Sequence, residues 1–165
     1  MSYLDASGDE WLRGLGYFLV IVVLALLFNS CNTPVPRNTP LSLSEQRDSI
    51  VAAEARRAGV PVGLSIAVSH VENWKGDSMA VSPRGAVGIM QVLPKYWQHS
   101  FEEECGCGSL FLSKRNACVG VRVLGQYLKQ HKTTAQALRA YHGSLNYHEA
   151  GDAYLAAMLD QLIAD

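Results

Sequence analysis

The sequence predicts a mainly α-helical domain that follows an apolar segment and a proline-rich linker. The chain has 165 residues, which suits one domain of ordinary size with an appendage. Apolar residues recur at helical spacing in several stretches, and no stretch alternates apolar and polar residues for long enough to indicate a sheet. Glycines, prolines and threonines punctuate the chain at intervals that predict six or seven short helices.

An uncharged apolar segment at 14–31 follows an N-terminal tail at 1–13. No charged residue occurs between Arg13 and Arg37, and valine, isoleucine and leucine cover every face of the segment, which is typical of a membrane helix. Its densest part would measure about 21 Å as a helix, and the uncharged flank supplies the rest of the roughly 30 Å hydrocarbon layer. We therefore expect 14–31 to be an uncleaved transmembrane or signal-anchor helix.

Two other interpretations of the 14–31 segment stay open. Cys31 follows a small serine directly after the apolar run, as in a bacterial lipoprotein, which would make the segment a cleaved or lipid-modified signal. Alternatively the segment is a buried core helix, although it has no polar side. Asp5, Asp9 and Glu10 precede the segment, and an acidic start is unusual for a bacterial export signal. That departure favours an origin in a phage or a mobile element.

Residues 32–44 contain three prolines and no hydrophobic periodicity, which predicts an extended linker. The folded domain is expected at 45–165. Its helices are predicted at 46–58, 61–75, 86–93, 116–130 and 133–141. A short helical turn is predicted within 94–101 and a loop at 102–113. A last helix is predicted from an apolar stripe formed by Leu155, Met158, Leu159 and Leu162.

The charge and cysteine content restrict the partners and the compartment. The chain has 14 Lys and Arg against 15 Asp and Glu, with no basic stripe, so nucleic acid is not expected as a partner.

Cys105 and Cys107 lie too close together for zinc-finger spacing, and no metal or other cofactor is expected. One disulfide from Cys118 to Cys105 or Cys107 is expected instead. It requires an oxidising compartment, which agrees with a domain exported beyond the membrane.

Glu72 is the candidate catalytic residue. It falls in the last turn of the helix that begins near Pro61, at the edge of the apolar stripe. Burial disfavours the ionised carboxylate and raises its pKa, and the negative end of the helix dipole acts in the same direction. A glutamic acid that stays protonated near neutral pH can donate a proton to the leaving oxygen of a glycosidic bond. The helix pattern alone fits a solvated glutamate better, so the case for a catalytic role depends on the residues that follow.

The stretch AVSHVENWKGDSMAVSPRGAVGIMQVLP, at 67–94, resembles the catalytic core of the soluble-lytic-transglycosylase family, which shares the fold of goose-type lysozymes. The family has a catalytic glutamate at a helix end, followed by Ala-x-Ser-x-x-Gly-Ala-x-Gly-Leu-Met-Gln-x-x-Pro. The matching residues are Ala80, Ser82, Gly85, Ala86, Gly88, Ile89, Met90, Gln91 and Pro94. Two later features of the family, an Asn-x-x-x-Gly helix and an Ala-Tyr-Asn segment, correspond to Asn116, Gly120, Ala140, Tyr141 and, in place of the amide, His142. The family usually has serine at the position of Asn73.

The resemblance implies a lysozyme-like multi-helix domain that cleaves peptidoglycan without a cofactor. Glu72 would act first as an acid toward the glycosidic oxygen. It would then act as a base toward the 6-hydroxyl of N-acetylmuramic acid, which attacks C1 of the same sugar and closes a 1,6-anhydro ring. Ser82, Gln91, Tyr141 and His142 would bind and position the glycan strand.

Two other functions stay open at this point. One is a hydrolytic muramidase on the same fold, with a water held by Asp77. The other is a non-catalytic module for wall binding or assembly, suggested by Asn73 and His142. For the transglycosylase, the expected partners are glycan strands, the membrane, and the proteins of a secretion apparatus, a pilus or a phage virion. The domain would then lie in the periplasm on a membrane tether and open the wall locally.

Overall fold

Seven α-helices build the part of the chain that the computed structural model describes, residues 40–164. They are Leu43–Ala58 (α1), Val62–Glu72 (α2), Pro94–Trp97 (α3), Glu102–Cys105 (α4), Ser113–Gln130 (α5), Thr134–His142 (α6) and His148–Ala164 (α7). Within residues 40–164 there is no β-strand, and the only extended pairing is in isolated bridges. The predicted mainly α-helical class is therefore confirmed.

The first helix begins inside the range predicted as linker. Ser42 caps α1, because its hydroxyl accepts a hydrogen bond from the backbone N–H of Glu45 at 3.3 Å. The Glu45 carboxylate accepts one from the Ser42 N–H at 2.9 Å in return. This reciprocal capping satisfies two donors that the first turn would otherwise leave unpaired. The helix therefore begins at Leu43 rather than near Glu45.

The predicted tail at 1–13 and the predicted membrane segment at 14–31 lie outside the described residues, as does most of the linker. Among residues 40–164, no helix has both the length and the apolar character that a membrane crossing requires.

Local capping residues set several helix ends where the sequence predicted them. Gly59 and Gly143 end α1 and α6 in the left-handed conformation, with φ angles of 66° and 75°. Thr133 caps α6 by accepting a hydrogen bond from the N–H of Gln136 at 3.2 Å. The region 102–113, predicted as a loop, instead includes the short helix α4.

The segment 86–93 is not the helix that the sequence predicted. Gly88 has a φ angle of 79° and Gln91 one of 46°, whereas a right-handed helix needs negative φ angles throughout. The segment folds instead into turns closed by Val87 and Val92. Each of these residues donates its N–H to the other's carbonyl, at 2.9 and 3.0 Å. These two backbone hydrogen bonds pair Val87 with Val92, so the segment folds back on itself.

The core lies between α1, α2, α5 and the turns of the 80–93 segment. α5 packs against α1 and α6, and α7 packs against α2 and α6. The most deeply buried apolar side chains are Val51, Ala55, Val68, Ile89, Met90, Leu110, Ala117, Val119, Val121, Leu124, Ala137 and Met158. The turns of the 80–93 segment are therefore part of the core, and the site is built directly on it.

The last helix turns only part of the predicted stripe inward, and Leu155 is partly buried against the core. Met158 is buried, but Leu159 and Leu162 are 58% and 42% exposed. The buried neighbour of Met158 is Tyr154, one helical turn earlier, and it is 5% exposed. Because residues four apart share a helix face, Tyr154 and Met158 define the face that contacts the rest of the domain.

Candidate active site

Glu72 is the last residue of α2, and its carboxyl group is turned into the protein. The Oε1 atom is buried and has no hydrogen-bond partner. Burial raises the pKa of this carboxyl to about 7, against a weaker opposing effect from the hydroxyl of Tyr154. Desolvation favours the neutral acid because the ionised form loses its hydration. The predicted rise in pKa is therefore present, and a large share of Glu72 keeps its proton at neutral pH.

Tyr154 is a residue of the site that the sequence analysis missed. It reaches Glu72 because α7 packs against α2. Its hydroxyl is buried beside the carboxyl and interacts with it, although the geometry falls short of a regular hydrogen bond. Burial, followed by the charge of Glu72, raises the pKa of Tyr154, so it stays a neutral hydroxyl. Its helical spacing from Met158 was the signal that could have found it.

Two buried polar side chains fix the chain immediately after Glu72. The amide of Asn73 donates to the carbonyls of Asp77 at 2.7 Å and Gly88 at 3.1 Å. Arg47, which is 1% exposed, donates to the carbonyls of Asn73 at 2.7 Å and Trp74 at 3.0 Å. The C-terminal end of α2 and the motif segment are therefore tied together by side-chain hydrogen bonds that cross between elements.

Asn116 holds the motif segment from the other side. Its Oδ1 accepts a hydrogen bond from the N–H of Met90 at 2.8 Å, and its Nδ2 donates to the carbonyls of Val87 and Leu110 at 2.8 and 2.9 Å. A Cβ atom on Gly88 would lie only 2.3 Å from this Nδ2 atom. Both the left-handed φ angle and this close approach therefore require glycine at position 88.

Tyr141 lies on α6 and reaches across to the same segment. Its hydroxyl donates to the carbonyl of Met90 at 2.9 Å. Burial, followed by the nearby charge of Glu72, raises the pKa of Tyr141 well above its usual value. A Cβ atom on Gly120 would lie 2.8 Å from the Met90 Cβ and 3.1 Å from the Tyr141 oxygen. The glycine of the Asn-x-x-x-Gly pattern therefore makes room for this contact.

Ser82 and Gln91 shape the turns as well as facing the cleft. The Ser82 hydroxyl accepts a hydrogen bond from the N–H of Ala86 at 3.0 Å. The side-chain nitrogen of Gln91 donates to the carbonyl of Gly88 at 2.9 Å. Since this bond uses a donor of the amide, the side-chain oxygen of Gln91 is left to accept a hydrogen bond from a ligand.

The predicted site residues meet at one cleft with a volume of about 420 Å³. The five that line it are Glu72, Ser82, Gln91, Tyr141 and His142. Aromatic side chains, namely Tyr96, Trp97 and Tyr127, form further parts of its wall. A cleft of mixed aromatic and polar lining is typical of a binding site for an organic ligand. The structure thus brings all five residues together, while their individual roles stay predictions.

His142 packs face to face on Tyr154, with ring centroids 4.3 Å apart and planes inclined by 9°. Its Nδ1 atom is buried without a hydrogen-bond partner. Burial, followed by the positive charge of Arg84, lowers the pKa of His142, so the imidazole is neutral at pH 7. The residue that replaces the family's amide is therefore an uncharged ring that backs the tyrosine beside Glu72.

Asp77 does not share the cleft with Glu72. It is exposed, and its Oδ1 atom accepts a hydrogen bond from the N–H of Met79 at 2.8 Å, which closes a turn. Among the described residues that line the cleft, Glu72 is the only carboxylic acid. Within residues 40–164, no group of three or more His, Cys, Asp or Glu side chains is placed to hold a metal ion.

The loop before α5 is fastened by the disulfide Cys105–Cys118, whose Cα atoms are 5.6 Å apart. The sequence left Cys105 and Cys107 open as partners of Cys118, and the structure selects Cys105. Cys107 is an exposed free thiol.

The described domain is helical, and one protonatable glutamate at a helix end faces an aromatic cleft. These features define the class of lysozyme-like enzymes that cleave glycans. The model of the family described as "Transglycosylase SLT domain" matches residues 49–161. The chain therefore belongs to this family of lytic transglycosylases, and the resemblance inferred from the motif is confirmed. A search of curated proteins found no significant match.

Proposed function

We propose that the chain is a peptidoglycan lytic transglycosylase that cleaves the β-1,4 bond between N-acetylmuramic acid and N-acetylglucosamine. The observation that carries the proposal is Glu72, a buried acid with a pKa of about 7 that is the only carboxylic acid among the described cleft-lining residues. A two-carboxylate glycosidase needs a second carboxyl group about 5–9.5 Å from the first. A transglycosylase does not, because its nucleophile belongs to the substrate.

Glu72 acts twice in the proposed mechanism. It gives its proton to the glycosidic oxygen as the bond from C1 to that oxygen breaks. The 6-hydroxyl of the muramic residue then attacks C1, and its proton passes to the Glu72 carboxylate, which regenerates the acid. The new bond from C1 to O6 closes the 1,6-anhydro ring, and no water is consumed. Intramolecular attack has a high effective molarity, so no protein nucleophile is required.

The other residues of the cleft position the strand. The free side-chain oxygen of Gln91 can accept a hydrogen bond from a sugar hydroxyl or N-acetyl group. The oxygen of Tyr141 donates its proton to Met90 and can still accept one from the substrate. Ser82 lies on the same wall. A pKa near 7 suits an acid that must later act as a base at neutral pH.

The test is Glu72→Gln, which keeps the shape of the side chain but can neither donate nor recover the proton. We expect loss of nearly all turnover on purified peptidoglycan, with the fold retained by circular dichroism. The matched control is Asp77→Asn, which makes the same chemical change on an exposed turn and should leave turnover within about twofold. Wall-clearing activity of Glu72→Gln close to that of the unaltered enzyme would sink the assignment.

The products separate the proposed reaction from its hydrolytic alternative. Mass spectrometry of digested peptidoglycan should find 1,6-anhydro ends, which are lighter by one water than the reducing ends left by a muramidase. Reducing ends alone would identify a muramidase, and binding without cleavage would identify a wall-binding module.

We further propose that the domain acts in the periplasm on a membrane tether formed by residues 14–31. The support is the uncharged apolar run and a disulfide, which needs an oxidising compartment. A protease-protection assay should find the C-terminal domain accessible from the periplasmic side, and a domain sheltered in the cytoplasm would contradict this. The mass of the mature N-terminus would distinguish an anchor from cleavage at Cys31.

A small tethered enzyme of this kind suits a local opening of the wall for a secretion apparatus, a pilus or a phage that crosses the wall. The acidic residues before the apolar segment favour the phage or mobile-element setting. The neighbouring genes test this role, since genes for virion or secretion components beside it would support it and a housekeeping neighbourhood would not.

A further inference from the structure

The cleft carries a permanent positive charge that the proposed mechanism does not use. Its ionisable lining side chains, apart from the tyrosines, are Glu72, Arg84 and His142. Glu72 has a pKa of about 7, so it changes charge with pH, and the lowered pKa of His142 leaves that ring neutral at pH 7. Arg84 is therefore the fixed charge of the cleft.

Arg84 sits on a turn that is held rigidly while its side chain is free. The Ser82 N–H donates to the carbonyl of Ala86 at 2.8 Å, and the Gly85 N–H donates to the carbonyl of Ser82 at 2.9 Å. The side chain itself is exposed. Within residues 40–164 it makes no hydrogen bond or ion pair.

A second cation lies at the rim of the same cleft. Lys95 places its Nζ atom 5.4 Å from the ring centroid of Tyr96, and Tyr96 is a lining residue that is 62% exposed. Among the described residues, Arg84 and Lys95 are therefore cations at the cleft, and Glu72 is the only carboxylic acid that lines it. An unpaired guanidinium on a rigid turn is suited to bind a carboxylate through two parallel hydrogen bonds.

Resting on the proposed function, we propose that Arg84 binds a carboxylate on the lactyl side arm of the muramic acid residue in the cleft, and so selects charged glycan strands. The sugar rings of the strand are neutral. Its negative charges lie on the lactyl arm, either as the free lactyl carboxylate of a strand without peptides or as the carboxylates of an attached stem peptide. Both sources present the same chemistry to Arg84.

The size of the effect follows from the exposure of the pair. An exposed ion pair contributes modestly and a good bidentate one contributes more, so loss of Arg84 should weaken binding by about threefold to tenfold. The loss should shrink as salt is added, because an exposed charge pair is screened.

The experiment compares Arg84→Gln, Arg84→Lys and the control Arg56→Gln. Arg56 is an exposed arginine on α1 that does not line the cleft. Binding is measured by calorimetry in the full chain carrying Glu72→Gln, so that the readout does not depend on turnover. Three ligands are used: soluble strands with stem peptides, strands stripped of peptides, and stripped strands whose lactyl carboxylates are converted to methylamides.

Arg84→Gln should weaken binding of a carboxylate-bearing strand by about threefold to tenfold and leave the methylamide strand unchanged. Arg84→Lys should restore part of the loss, and Arg56→Gln should change nothing. A loss with stripped strands assigns the lactyl carboxylate, and a loss confined to peptide-bearing strands assigns the stem. An equal loss on all three ligands, no loss on any, or the same loss in Arg56→Gln would overturn the proposal. Absence of 1,6-anhydro products from the unaltered enzyme would instead count against the proposed function.

Discussion

Replacement of Glu72 by glutamine should stabilise the fold at alkaline pH and have little effect at acid pH. The folded protein raises the pKa of this carboxyl from 4.5 to about 7. Between these values the folded chain still holds a proton that the unfolded chain has lost. The stability due to the neutral carboxyl is therefore fully present below pH 4.5, and it is lost as the pH rises through about 7.

The magnitude follows from the gap between the two pKa values. A gap of about 2.5, at 1.36 kcal/mol per unit, corresponds to about 3.4 kcal/mol of unfolding free energy. Because Glu72 is partly accessible at the cleft, solvent reduces this figure, and we expect about 1–3 kcal/mol. For a domain of this size, at about 4 °C per kcal/mol, that corresponds to a gain of roughly 4–12 °C in melting temperature. Glutamine removes the penalty because it is neutral at every pH.

The assay is thermal unfolding of the unaltered protein and of Glu72→Gln at pH 4 and at pH 8.5. The difference between the two proteins should be near zero at pH 4 and should reach its full value at pH 8.5. Taking this difference cancels the titration of all other groups that the two proteins share. Asp77→Asn, the same chemical change on an exposed turn, should show no such dependence on pH. A difference for Glu72→Gln that is equal at both pH values would refute the reasoning.

Three further predictions concern the surroundings of the site. Tyr154→Phe removes the hydroxyl that lowers the pKa of Glu72. The alkaline limb of the profile of kcat/KM against pH should therefore move to higher pH, and an unmoved limb would contradict the assigned contact. Gly88→Ala places a Cβ atom 2.3 Å from Asn116 Nδ2 at a φ angle of 79°, and urea unfolding should show a loss of about 2–4 kcal/mol, whereas a loss below about 1 would count against this. Reduction of the disulfide, which bridges a sequence separation of 13, should lower the unfolding free energy by about 3 kcal/mol. Alkylation before reduction, followed by peptide mapping, should label Cys107 and neither of the bridged cysteines.

The helix boundaries that the sequence located well are those decided by local chemistry. Gly59 and Gly143 end helices because glycine adopts the left-handed conformation at low cost. Thr133 begins one because its hydroxyl satisfies a backbone N–H in the first turn. Such signals lie within a few residues of the boundary and can be read directly. Ser42 is a signal of the same kind, and the proline-rich composition before it concealed the start of α1.

The segment 86–93 is predicted as a helix from a local pattern that is ambiguous. Its apolar residues fit a short helix as well as a buried turn, and a short apolar run does not distinguish the two. Asn116 on α5 determines that the segment forms a turn. Its Oδ1 atom accepts a hydrogen bond from the N–H of Met90, and its Nδ2 atom donates one to the carbonyl of Val87. Those groups would be used within a helix. A contact between distant parts of the chain therefore outweighs the local preference.

The site shows the same division between motif and packing. The motif placed Glu72 and its four partners at one cleft, because the family pattern records contacts that a single sequence cannot show. Tyr154 lies outside that pattern, and its place beside Glu72 depends on which face of α7 turns toward α2. The leucines of α7 suggested a neighbouring face, since apolar residues are the usual guide to burial. A tyrosine is the more informative residue here, because a buried hydroxyl needs a polar partner.

Asn73 shows how a departure from the family pattern can be absorbed by the structure. The missing serine is one of the two departures that suggest a non-catalytic module. In the structure, the Asn73 amide joins the carbonyls of Asp77 and Gly88. A serine hydroxyl has a single proton to donate and could satisfy only one of these carbonyls. The amide therefore ties the turn after Glu72 to the motif segment through two carbonyls, where a serine could hold only one of them.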